Sequence, residues 1–168
     1  MHHLLEAYLD IKRDFDNCCL IMVGDGNLKS KLQTLCKNSR IKDVKFTGWL
    51  DEDKALIYYA ISNLFVLPTL SDLCPLVINE AMACSLPVIT TNVVGCANDM
   101  INPNKNGIIV EAKNIEQLSS AIRSLIAKDE LMEKMGNESL KIIKAEFTVD
   151  KTIENFVSAI EYGLSNAK

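Results

Sequence analysis

Short apolar runs alternate along this chain with segments of helical spacing, and that alternation restricts the fold more than any other feature. Cys18–Val23 reads CCLIMV and stops at Gly24-Asp25-Gly26, the pattern of a buried strand and a tight turn. Val44–Thr47 is a strand closed by Gly48, and Asp51-Glu52-Asp53 then places acid at the positive end of a helix. Leu64–Leu67 is a strand stopped by Pro68, Val88–Thr90 another, and Ile108–Val110 the last. Between them Leu4, Leu5, Tyr8, Leu9 and Phe15 share one helical face, as do Leu28, Leu32, Leu35 and Cys36, and Pro75–Cys84 reads as a helix. Beyond the last strand the chain turns helical. Asn114 and Gln117 form a capping box ahead of Ile115, Leu118, Ile122, Leu125 and Ile126, a second helix spans Asp129 to Glu146, and a third shows Ile153, Phe156, Val157, Ile160 and Leu164. Such alternation specifies an α/β fold, with a parallel sheet covered by helices on both faces.

Composition narrows the functions open to this fold. At 168 residues, 48% of them hydrophobic, the chain has the length of one domain with a substantial core. Eighteen Lys and Arg against 22 Asp and Glu give a net charge of −4, the wrong sign for a nucleic-acid surface. No apolar run reaches the roughly 18 residues of a membrane span. Charged residues from Glu6 to Asp14 break up any secretory signal, so a cytoplasmic location is expected. The six cysteines include no C-x-x-C pair, and histidine occurs only at His2 and His3. A zinc site and a His-dependent nucleophile are thereby disfavoured, and buried free thiols are expected.

Parallel sheets bind ligands beyond the carboxyl ends of their strands. Three loops leave those ends: Gly24–Asn27, Gly48–Leu50 and Pro68–Cys74. The first lacks the third glycine of a dinucleotide fingerprint, because Lys29 stands there, and a plain strand-to-helix turn is the better reading. The third enters a helix with Pro75 in its first turn, leaving the amides of Leu76 and Val77 free to meet an anion. Asp72 precedes that point and Glu80 lies one to two turns into the helix. Taken singly, each is an ordinary capping or solvated acid. Together they suit a ligand with phosphate in its middle and hydroxyls at both ends.

Asp72 through Val88 resembles the hallmark stretch of retaining GT-B glycosyltransferases of the glycosyl transferases group 1 type, E-G-F-P-L-V-x-x-E-A-M-A-x-G-x-P-V. Ile21–Gly26, Val44–Gly48, Leu64–Thr69 and Asn106–Val110 match further segments of that family in order. The resemblance implies a Rossmann-like C-terminal, donor-binding domain over residues 1–168. It implies that Glu80 holds the donor ribose, that the Leu76 and Val77 amides meet the phosphates, and that Asp72 faces the sugar as the catalytic candidate. Trp49 and Leu50 would lie where the base sits. The implied donor is a nucleotide sugar, with no separate cofactor or metal expected. The acceptor is a glycan or lipid-linked sugar, reached through an N-terminal acceptor domain, and peripheral membrane association of a full-length enzyme is also implied. Departures from the pattern include Asp72 for glutamate, and Leu73, Ser85 and Cys96 for glycine. The family's domain opens with a strand bearing an Arg and a Lys, whereas this sequence starts at the following helix. That strand is central in the doubly wound order, so a seam in the sheet is expected. A non-catalytic module that keeps the fold is the alternative reading, and a sugar-nucleotide epimerase of related fold a more distant one.

Overall fold

β4 (Val88–Thr91) has a neighbour on each side, and all four of its residues are buried. It pairs in parallel with β3 (Phe65–Leu67) and with β5 (Gly107–Val110), Val88 standing opposite both Phe65 and Gly107. A Cβ at Gly107 would lie 2.2 Å from the Val88 carbonyl oxygen, so only glycine permits that pairing. β1 (Leu20–Val23) and β2 (Val44–Gly48) form a second parallel sheet. Among residues 1–166, which the computed structural model describes, no ladder joins the two sheets. The interruption agrees with the seam expected from the sequence. Ala167 and Lys168, the last residues of the expected 1–168 domain, lie outside the described residues.

Parallel pairing requires crossovers, and helices supply them. Between paired strands these are α2 (Lys29–Asn38), α4 (Leu76–Ala83) and α5 (Ala97–Met100); α1 (His2–Ile11) precedes β1, α3 (Glu52–Ala60) links the two sheets, and α6 (Ile115–Ile126), α7 (Asp129–Glu146) and α8 (Val149–Asn166) follow β5. Alternation along β4 sends Val88 and Ile89 to opposite faces. Val88 joins Ile78, Met82, Val94 and Met100 beneath α4 and α5, while Ile89 joins Val110, Leu118, Ile122 and Leu125 beneath α6. α1 serves both sheets. Its Leu4, Ala7 and Ile11 pack into the Ile89 cluster, and its Leu5 packs with Met22, Leu32 and Cys36.

The helical bounds agree with the spacing, except that Phe15 lies beyond α1, which ends at Ile11, and Leu28 is the N-cap of α2. Pro75 is the N-cap of α4 rather than a residue of its first turn, because its ψ of 116° is extended. Asn114 Oδ1 accepts from the Gln117 amide at 2.9 Å as a capping box requires. The return bond differs, since Gln117 Oε1 accepts from the Glu111 amide instead. Two expectations are corrected. β1 is not a buried strand: only Met22 is buried and Val23 is exposed, because a two-stranded sheet leaves β1 an unpaired edge. The thiols are all free, but only Cys36 is buried. Cys18 and Cys19 precede the strand, which begins at Leu20, and Cys74 sits on an exposed loop.

Candidate functional site

The loop from Pro68 to Pro75 is held over the carboxyl end of the three-stranded sheet from beneath and from the side. Thr90 Oγ1 donates to Leu67 O at 3.2 Å and Thr91 Oγ1 to Thr69 O at 2.8 Å, which also explains why two threonines are buried in β4. From the side comes the loop after β4. Asp72 bridges to Val94, the Gly95 amide donates to Asp72 O at 3.1 Å, and the Cys96 amide donates to Leu73 O at 2.9 Å. A Cβ at Gly95 would sit 2.8 Å from Leu73 O, so this close approach also needs glycine.

That loop delivers the chain into α4 with its first amides open. Pro75 has no side-chain oxygen to cap them, and among the described residues neither the Leu76 nor the Val77 amide has a partner. The first amide to close is that of Ile78, onto Pro75 O at 3.0 Å. Unpaired N–H groups at the positive end of an eight-residue helix make an anion-binding position. The Leu76 side chain beside it is 72% exposed, so the position is open to solvent.

The two expected carboxylates flank this point. Asp72 is partly buried and carried on the pinned loop. Glu80 is partly buried on α4, and its Oε2 accepts from the Tyr59 hydroxyl of α3 at 2.9 Å. Burial first, and then the Glu80 carboxylate, push the Tyr59 phenol far above its ordinary ionisation, so it remains a proton donor. A tilted contact with the Phe65 ring at 5.8 Å steadies it. The sequence reading missed Tyr59; the only available signal was a tyrosine pair on the helix before β3.

The three-stranded sheet thus brings together Asp72, Leu76, Val77 and Glu80. Trp49 and Leu50 are carried by the other sheet, on the turn after β2, with Trp49 75% exposed. Gly48 has a φ of 76°, and its carbonyl accepts from the Gly24 amide at 2.9 Å, which draws the turns after β1 and β2 together. Lys29 Nζ pairs with Asp25 Oδ2 at 2.9 Å, and this contact leads in holding the Asp25 carboxyl below its ordinary pKa. A cavity of about 230 Å³ opens there, lined by Val23, Asp25, Gly26, Lys29 and Phe46 among others. Among the described residues there is no His, Cys, Asp and Glu cluster able to hold a metal ion, and no helix long and apolar enough to cross a membrane.

The arrangement can hold an anion at the start of α4 and accept hydroxyl hydrogens at Glu80. Comparison with known proteins places the chain in a family. The chain is 28% identical over 155 residues to an uncharacterized glycosyltransferase of Haemophilus influenzae, covering 92% of this chain and 43% of that protein. It superposes with a TM-score of 0.84 and 20% identity on a TarM variant from S. aureus solved with fondaparinux, alpha-GlcNAc-glycerol and UDP, covering 94% of this chain and 32% of that one. A third match is the C-terminal domain of the glycosyl transferase group 1 family protein LpcC from Francisella tularensis. There the TM-score is 0.79 at 21% identity, over 88% of this chain and 78% of that one. The chain therefore spans well under half the length of the first two, and the structural matches show the GT-B fold. The family model for glycosyl transferases group 1 matches residues 1–142, and the chain belongs to that family.

Proposed function

We propose that this chain is the donor-binding part of a glycosyltransferase that takes a nucleoside diphosphate sugar. The observation that carries the reading is the open N-terminus of α4, with two unpartnered amides between Asp72 and Glu80. The diphosphate accepts from the Leu76 and Val77 amides, and the helix dipole adds to the attraction. Glu80, oriented by Tyr59 through one oxygen, keeps the other for the ribose hydroxyls. Asp72 faces the sugar, and Trp49 with Leu50 bounds the base. UDP in the TarM structure supports a nucleoside diphosphate as ligand. Transfer of a hexosyl group to a glycan or lipid-linked acceptor, with retention of configuration, belongs to a longer cytoplasmic enzyme that also supplies an acceptor-binding domain.

The test is a calorimetric titration with UDP of the wild type, Glu80→Ala and Glu80→Gln. Removing a charged acceptor of hydroxyl hydrogen bonds weakens binding by about tenfold, with the amide variant intermediate. Equal affinity in all three proteins removes Glu80 from the site and the reading with it.

A further inference from the structure

Two loops meet at the entrance to α4, and each carries a cysteine that the family pattern does not have. Cys74 stands where the hallmark stretch has phenylalanine, and Cys96 where the second glycine of a pair is usual. The parallel bridge between Asp72 and Val94 sets their register, and two residues further along each loop come Cys74 and Cys96. The Cys96 amide reaches Leu73 O at 2.9 Å. With ordinary bond lengths that bond keeps the two Cα atoms within about 7 Å, the span a disulfide can bridge. The thiols are also neighbours. Burial, and next the neighbouring Cys74 side chain, push the Cys96 thiol up to about 11, while its sulfur lies 3.6 Å from Met100 Sδ. Cys74 is exposed and Cys96 partly buried, so one is reachable from solvent and the other waits behind it. Cys18 and Cys19 precede β1, Cys36 lies in α2 and Cys84 ends α4.

We propose that Cys74 and Cys96 are a modification site, forming a reversible disulfide that fastens the Asp72 loop to the loop after β4. The oxidant is a low-molecular-weight disulfide. The Cys74 thiolate attacks one of its sulfurs, forming a mixed disulfide and expelling one thiolate, which takes up the proton Cys74 gave to water. Cys96, deprotonating, then attacks Cys74 Sγ, breaks the mixed disulfide and expels the second thiolate, which is protonated in turn. Two protein thiols are oxidised and one small disulfide is reduced to two small thiols, so atoms and electrons balance. The link closes at Cys74, directly before the Pro75 cap, and removes motion from the loop that presents the Leu76 and Val77 amides. This last consequence rests on the phosphate reading given above; the link itself does not.

The experiment treats the 168-residue chain with glutathione disulfide and maps its peptides by mass spectrometry, beside Cys96→Ser and Cys74→Ser. The expected product is lighter by about 2 Da, contains a Cys74–Cys96 peptide pair, and reverts with dithiothreitol. Its melting temperature rises by about 10 °C, as cross-linking a loop of this length predicts. Cys96→Ser instead stops at a stable glutathione adduct on Cys74, and Cys74→Ser gives neither product. Absence of the linked pair in the wild type overturns the proposal. UDP titration of both redox forms distinguishes the two readings. About threefold tighter binding after oxidation supports the fastening of the phosphate site. Unchanged affinity overturns that fastening, and no binding in either form refutes the phosphate reading while leaving the link in place.

Discussion

The two sheets answer the same kind of sequence signal differently. β1 is drawn from CCLIMV, an unbroken apolar run, yet only Met22 among its four residues is buried. β4 reads Val-Ile-Thr-Thr, half of it polar, and is buried throughout. Position decides the contrast. β4 has a strand on each side and helices on both faces, and its threonine hydroxyls find carbonyl acceptors on β3 and the loop after it. β1 has one paired edge, and α2, the helix that joins it to β2, buries only Leu32 and Cys36. Apolar content says that a segment can be buried; neighbours say whether it is. The loop from Pro68 to Pro75 is correspondingly built on the well-packed sheet, where its backbone can be pinned from two directions.

The sharpest way to break this comparison is to cut a cavity in each half. Ile89 is wholly buried between α1, α6 and β5, in a cluster too well packed to collapse. Ile89→Ala therefore costs about 4 kcal/mol, toward the upper end for such truncations. Met22 packs in a cluster of four buried residues bounded by half-exposed neighbours that can close over a void. Met22→Ala costs about 2 kcal/mol. Urea unfolding with an unchanged slope measures both. Equal losses, or a larger loss at Met22, show that the two-stranded half is as tightly built as the other.

Periodicity located the strands and the long helices, because those depend on local patterns of side chains. It also placed Asp72, Leu76, Val77 and Glu80 in one neighbourhood, since loop and helix are contiguous in sequence. Tyr59 was illegible because its bond to Glu80 joins residues from separate helices, and no local pattern records that. The burial of β1 was misread for the same reason, since pairing is a property of the sheet. α5 is four residues long, too short for a period to show. The periodic apolar face of α8 is real, but Ile153, Phe156, Val157, Ile160 and Leu164 are all exposed, so period marked the helix without marking a contact.

Within the well-packed half, one departure from the family pattern carries a measurable strain. Ser85 follows α4 with a φ of 59°, the left-handed conformation natural to the glycine usually found there. α7 comes so close that a Cβ on Gly136 would meet Ser85 O at 2.0 Å, which leaves the turn no room to relax. Ser85→Gly removes the Cβ penalty while adding freedom to the unfolded chain, and it stabilises by about 0.5 kcal/mol net. A thermal melt reads the change. A loss of stability would mean that the tightness of this half does not extend to its strained turn.

The smallest expected effect concerns how α1 is fastened to the three-stranded side. Asp10 accepts from Ser119 Oγ at 2.7 Å and from Arg123 Nη2 at 3.0 Å, and Arg123 also pairs with Asp14. The Ser119 bond first, and then Arg123, hold the Asp10 carboxyl below its ordinary value of 3.8. A depressed carboxylate binds fewer protons in the folded than in the unfolded state, so stability rises with pH across the interval between the two values. Its contribution is complete above pH 3.8 and is lost as pH falls through the lower folded value. Asp10→Asn lacks that titration. Its melting temperature is expected to lie slightly below wild type near neutrality, and the gap is expected to narrow as the solution is acidified below pH 3.8. Leu5, which ties the same helix to the other sheet by apolar contact alone, contributes no such acid dependence. A gap that stays constant across that interval would show that Asp10 adds nothing acid-sensitive to the fastening of α1, and the contrast with Leu5 would disappear.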